Sequence, residues 1–239
     1  MEEQWNQRED RFAFEGQADV AGLNRYLAHT FEWMFIGLLV TFFLGWQLEE
    51  LGIVYKLFAI PSMSTLLLVA ELIVVLVLAG RIHKQSVAVT RVLFVLYAVI
   101  NGVVFSYYFA LFRMTELMLI FGLTALFFGA FALYGFVAKT DLCRLRPLLI
   151  GGLIFLVIAG VLSMFLNLSG MERIICMVGI VVFLCFTAYD TQKIKENYVY
   201  YQQNPEMLKK ASIYSALQLY LDFINLFLYL LRFFASKKD

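Results

Sequence analysis

Two aspartates stand where carboxylates are expensive. Asp222 lies near the centre of LQLYLDFINLFLYLLRFF, Leu217 to Phe234, a run long enough to cross a bilayer, and Asp190 closes another apolar run in TAYDTQKIK. An ionisable group at the centre of a span costs about 3 kcal/mol on insertion scales, so such groups face protein or water and mark a function. Asp222 also has polar company. Ser215, Gln218, Asp222, Asn225, Tyr229 and Arg232 follow one another by 3, 4, 3, 4 and 3 residues, which stacks them on one face of a helix. A polar stripe through hydrocarbon is buried against other helices or lines water. The stripe therefore predicts a central last helix with the other spans around it; a hydrogen-bonded seam that conducts nothing is the plainer reading of the same residues.

Between the two aspartates lies Asn204-Pro205-Glu206-Met207. Asn is a good N-cap and Pro a good first helical residue, so a helix is expected to start there. Counted from residue 206, Asp190 is 16 residues back and Asp222 is 16 forward. In an antiparallel hairpin the two meet at one depth, about 24 Å from the turn. Carboxylates held together away from bulk water do not readily both ionise; they share a proton and titrate as a pair. Such a pair is a pH sensor and a gate, with a direction of gating that the sequence leaves open. Arg81 is the candidate latch for a deprotonated carboxylate, or it simply snorkels from its span end. Glu71, in VAELIVV, is too deep to snorkel and is either paired for structure or part of the polar path with Ser215, Gln218, Asn225 and Tyr229. Calcium takes roughly 6 to 8 oxygens, so Asp190 and Asp222, with Gln218 and Asn225 near them, amount to a weak cation contact that passes ions.

These residues need helices to carry them, and the composition supplies little else. Of 239 residues, 62% are hydrophobic and 15% charged, with a mean hydropathy of +0.79. That lies outside ordinary soluble domains and reads as an all-α integral membrane protein. A span needs about 20 mostly apolar residues, and seven fit: 30–47, 64–81, 87–110, 116–138, 147–168, 173–191 and 211–233. Residues 1–28, with charges of both signs, read as a polar cytoplasmic tail and not a cleaved signal; residues 29–239 form one transmembrane domain. Cys143, Cys176 and Cys185 form no CxxC pair, and His29 and His83 have no partners at ligand spacing, so no metal centre or other cofactor is expected. A net charge of +1 without a basic tract argues against nucleic acid and leaves lipids as the surroundings.

Orientation follows from the basic residues. Successive polar segments hold 3 (Arg8, Arg11, Arg25), 1 (Lys56), 3 (Arg81, Lys84, Arg91), 1 (Arg113), 3 (Lys139, Arg144, Arg146), 1 (Arg173) and 4 (Lys193, Lys195, Lys209, Lys210). This alternation puts the N-terminus in the cytoplasm. Arg232, Lys237 and Lys238 then fall outside, against the same rule, which leaves open a last helix that re-enters and returns. The segment ELGIVYKLFAIP after the first span is apolar enough to lie along the outer surface or dip back into the bilayer.

AYDTQKIK, followed by LQLYLDFINLFLYLLRFF, resembles the Bax inhibitor family, the transmembrane Bax inhibitor motif proteins, and in particular its bacterial members. The resemblance implies seven helices, six of them wrapped around the seventh, and a pH-sensitive calcium leak in which a hydrogen-bonded aspartate pair governs opening. By motif, that role falls on Asp190 and Asp222, with Glu71 and Arg81 as the second-span glutamate and the arginine that engages the aspartate. It also implies a bacterial cytoplasmic membrane, calcium as the transported ion, and membrane-protein partners if the chain acts as a regulator instead. Intramembrane aspartyl proteases share the Tyr-Asp element, here Tyr189-Asp190, but they add Gly-x-Gly-Asp and a later Pro-Ala-Leu. No proline follows Pro205, so no enzyme is expected.

Overall fold

The computed structural model describes residues 20–80, 84–165 and 171–235, and every regular element among them is helical. In chain order these are α1 (Val20–Glu50), α2 (Ile53–Phe58), α3 (Met63–Gly80), α4 (Val87–Leu111), α5 (Met114–Val137), a 3-10 turn at Leu142–Leu145, α6 (Arg146–Phe165), α7 (Glu172–Tyr201) and α8 (Pro205–Ala235). Among the described residues, six helices are long and apolar enough to cross a membrane: α1, α4, α5, α6 with its 3-10 lead-in, α7 and α8. The remaining expected span, 64–81, corresponds to α3, of which the described residues Met63–Gly80 are helical throughout.

Three helices outrun their apolar cores. Residues 20–28, read from sequence as tail, are the first turns of α1, and they are held there by packing. Tyr26 and Leu27 are buried, and the Tyr26 ring lies 5.5 Å from that of Tyr198 on α7. α7 and α8 have 30 and 31 residues, about 45 Å each, so their joined ends project together beyond the hydrocarbon. α8 runs unbroken from Pro205 to Ala235, which removes the alternative of a last helix that turns back. At its start the Met207 amide donates to Asn204 Oδ1 at 3.1 Å, an N-cap followed by Pro at the first helical position.

Turns elsewhere have local causes. Between α1 and α2 the chain turns at Gly52, whose φ of +67° is a left-handed conformation that glycine adopts without penalty. α2 then occupies the ELGIVYKLFAIP segment, burying Val54. Ser86 caps α4 by accepting from the Val89 amide at 3.3 Å.

α8 packs against α7, α1, α5 and α4, while α3 packs chiefly on α4, and α6 chiefly on α7 and the 3-10 turn. Helix association in lipid relies on close van der Waals contact and interhelical hydrogen bonds, because lipid tails are as apolar as leucine. Aromatic rings supply much of the first. Phe42 of α1 is a hub, with Phe105, Phe109, Phe121 and Phe227 at centroid distances of 5.1, 6.3, 4.8 and 5.5 Å. The outward faces of α3 and α6 present Leu66, Leu72 and Leu76, and Leu148, Val157 and Val161, apolar side chains suited to lipid.

A close helix contact sits beside the aspartates. A Cβ placed on Gly135 of α5 would collide with the carbonyl of Ala188 on α7, with the Ala188 Cα 2.8 Å away. Gly122, also on α5, meets nothing within 4 Å. Gly135→Ala is therefore expected to destabilise the protein by about 1–3 kcal/mol through backbone displacement, while Gly122→Ala stays neutral. Unfolding midpoints of the two purified variants in a denaturing-detergent titration check this, and equal midpoints would contradict the packing described.

Candidate functional site: a carboxyl pair between the last two helices

Asp190 of α7 and Asp222 of α8 are both buried, and their side chains are in hydrogen-bonding contact. An ionised carboxylate only accepts, so such a bond needs a proton on one of the two groups. Gln218 Nε2 donates to Asp190 Oδ1 at 3.2 Å. No amide, hydroxyl or amine among the described residues reaches the buried Oδ2 of Asp222. A buried polar oxygen without a donor is costly, and the neighbouring carboxyl is the group at hand to satisfy it.

The hairpin register brings the pair together. About two turns nearer the α7–α8 turn, Asn197 Nδ2 donates to Ser215 Oγ at 3.2 Å. Asn197 is as far from Asp190 along α7 as Ser215 is from Asp222 along α8, so the two contacts are rungs of one antiparallel ladder. Further along, Tyr229 stacks on Phe183 with centroids 5.8 Å apart and lies against Gly179, where a Cβ would come within 2.5 Å of its ring. Asn225 Nδ2 returns to its own helix, donating to Leu221 O at 2.8 Å. Arg232, at the far end of the stripe, donates to the Tyr108 hydroxyl of α4. Ser215, Gln218, Asp222 and Tyr229 thus all meet α7.

The stripe is not wholly enclosed. Tyr214, Gln218, Leu221, Asn225, Leu228 and Tyr229 are half-buried, whereas the rest of α8 from Lys210 to Leu231 is buried. Gln218 and Asn225 therefore stand on the accessible line of the helix, and Asp222 just inside it.

The opposite faces of α8 are fixed by other partners. Tyr220, two residues before Asp222 and hence on the other side, shares a 2.6 Å hydrogen bond with Thr41 of α1, and Thr41 in turn donates to Ala98 O of α4 at 2.9 Å. Ser212 and Thr30 of α1 are 2.9 Å apart. Phe223 packs on Phe121 and Phe128 of α5, at 5.2 and 5.5 Å. Within DFINLF, Asp222 thus meets α7, Phe223 meets α5, and Phe227 meets α1 and α4.

Two expected site residues stand apart from this cluster. Glu71 on α3 is half-buried, its Oε1 is buried without a hydrogen-bond partner, and it lies within electrostatic range of the Tyr97 and Tyr220 hydroxyls. That places it across α8 from the aspartates. Arg81 lies outside the described residues. The cation whose field reaches Asp190 among those described is Lys193, with its Nζ 5.7 Å from the centroid of the Tyr189 ring. One further group has a donor set of metal-binding type: Asp141, Cys143 and Glu196 place one ligand atom each within 4.8 Å of one another. There Cys143 Sγ donates to Glu196 at 3.5 Å, so the thiol is engaged in a hydrogen bond.

Residues 23–239 match the family described as "Inhibitor of apoptosis-promoting Bax1". The chain belongs to the Bax inhibitor family. Among the family's relatives of this chain, inner membrane protein YbhL of Escherichia coli strain K12 is 37% identical over 220 residues, 91% of this chain and 94% of that protein. An uncharacterised protein of Borreliella burgdorferi is 34% identical across 90% of this chain and 94% of its own length. A third, RP147 of Rickettsia prowazekii, also uncharacterised, is 34% identical across 91% and 92%. With six membrane-length helices, this Bax inhibitor family member is a multi-pass integral membrane protein with an inner-membrane relative in bacteria.

Periodicity does not single out Thr41 and Tyr220, which anchor α8 from behind. Tyr220→Phe removes one buried hydrogen bond and is expected to cost about 1 kcal/mol; Thr41→Val leaves the Tyr220 hydroxyl buried without its partner and costs about 2 kcal/mol. Chemical or detergent unfolding of the two variants measures the difference, and the order Thr41→Val below Tyr220→Phe in stability is the expected result.

Proposed function

We propose that the protein is a pH-sensitive cation leak channel for calcium, gated by the Asp190–Asp222 pair. The observation that carries this reading is the buried carboxyl contact, set against a half-exposed amide line at Gln218 and Asn225. Protonated, the pair is a neutral, short-range tie between α7 and α8. Deprotonated, it holds two like charges in a poorly screened site, and their repulsion acts on the same two helices. A two-state change of the hairpin is thus driven by one proton. The amide oxygens of Gln218 and Asn225, with the carboxylates, offer hard oxygen contacts of the kind calcium accepts, too few to trap it.

In this reading α8 is the core of a seven-segment bundle that includes α3. The N-terminus and the α7–α8 turn lie in the cytoplasm, as the alternation of basic residues predicts. Ser215 and Tyr229 extend the polar path on either side of the pair. Glu71 belongs to a separate polar position near Tyr97 and Tyr220, and Arg81 is the latch that captures a freed carboxylate. The permeating ion is substrate, and the function needs no cofactor and no chemistry of bond making.

Purified protein reconstituted into liposomes loaded with a calcium-sensitive dye tests the proposal. Wild-type protein is expected to give a leak that varies from about pH 5 to about pH 8, the interval in which a shared carboxyl proton in such a setting is exchanged. Asp222→Asn keeps the shape and a hydrogen-bond donor but removes the shared proton, so its leak should lose most of that variation. Flux equal to that of empty liposomes throughout the range would sink the channel reading. It would favour instead a non-conducting regulator that binds other membrane proteins, a reading in keeping with the family's description as an inhibitor, and co-purification with a membrane partner would then be the positive sign.

A further inference from the structure

α7 carries polar residues on two faces, and the gate uses only one of them. Asp190 and Asn197 face α8. Ala188, Gln192 and Lys195 follow at spacings of 4 and 3, which places them together on another face. That face is pinned to the end of α5 and the connection that follows it. Gln192 is buried and uses both ends of its amide: Oε1 accepts from the Leu142 amide at 2.8 Å, and Nε2 donates to Thr140 O at 2.8 Å and Ala138 O at 3.4 Å. One turn on, Lys195 Nζ donates to Phe136 O at 2.7 Å, satisfying a carbonyl in the last turn of α5. One turn back, Ala188 is pressed against Gly135.

We propose that Gln192 is a positioning residue for the aspartate pair: it locks the rotation of α7 against the 138–142 backbone and so holds the Asp190 carboxyl on Asp222. The lever is geometric. A side-chain tip about 6 Å from the helix axis moves about 2 Å when the helix rotates by about 20°, enough to pull apart carboxyls in hydrogen-bond contact. The van der Waals contact at Gly135 limits approach but not rotation, whereas three directed hydrogen bonds from one side chain limit both. Gln192 and Asp190 are two residues apart and so project to nearly opposite sides of α7, with the 138–142 connection at one end of the lever and α8 at the other.

This inference rests on the proposed gate, and its test separates the two. The charged and titratable groups around Asp190 are Asp222 and Tyr214 on α8, Lys193 and Tyr189 on α7 itself, and Arg146 at the start of α6, whose field reaches Tyr189 and Tyr214. Gln192→Met keeps the volume, adds no charge to that set and removes all three hydrogen bonds. Two readouts apply: the pH profile of calcium leak in liposomes, and the infrared C=O stretch of a protonated buried carboxyl, assigned by its loss in Asp222→Asn. The expected result for Gln192→Met is a leak profile whose midpoint moves by about half a pH unit or more, or which flattens, together with a displaced carboxyl band. Lys195→Met, which removes only the outer tie, should move both in the same sense by less, and it serves as the test if Gln192→Met does not fold. A folded variant with an unmoved carboxyl band and an unmoved profile overturns the positioning role. A displaced band in a protein whose wild type never leaks upholds the positioning and sinks the gate.

Discussion

A carboxyl group shut away from water has to find a proton, a cation or a donor, and in this chain Asp190 and Asp222 find each other. The surrounding architecture is arranged so that they can. The two aspartates come from helices that run in opposite directions, so their meeting depends on the register of the hairpin, which is set by the Asn204 cap at the turn and repeated at the Asn197–Ser215 rung. It depends also on the azimuth of each helix about its own axis. α8 is oriented from behind by Tyr220 on Thr41 and from the side by Phe223 on α5. On its far side α7 is pressed at Ala188 against Gly135 and hydrogen-bonded through Gln192 to the 138–142 connection.

This division of labour suits a lipid solvent. Apolar burial does little to hold one helix against another when the alternative is an equally apolar acyl chain. The contacts that choose among arrangements are therefore directional hydrogen bonds and steric fits, and they lie both where α8 meets α7 and α1 and where α7 meets the end of α5. The outer helices α3 and α6 have broad leucine and valine faces and are held by fewer partners.

Much of the frame is legible in the chain. Hydropathy locates the apolar runs, because a membrane imposes a strict length and composition on them. The cap at Asn204 and the equal spacing of the aspartates about residue 206 foretell the depth at which they meet, since helix rise is constant. Other features are hidden for physical reasons. The extension of α1 back to Val20 is invisible to hydropathy because it is stabilised by Tyr26 against Tyr198, a contact between distant parts of the chain. The roles of Gln192, Thr41 and Tyr220 depend on which backbone or hydroxyl each side chain happens to face, and no periodicity encodes that. The apolar run around Glu71 marks it as a charge away from water, but its placement across α8 from the pair follows from the packing of α3 on α4, which no local pattern records.

The half-buried line through Gln218 and Asn225 carries a consequence for how such a protein is handled. A helix that shows amides along one edge is in touch with whatever medium lies beside it. Acyl chains offer an amide no hydrogen bond, while surfactant headgroups and water do. The solvation of that edge is therefore partly a property of the amphiphile chosen to dissolve the protein.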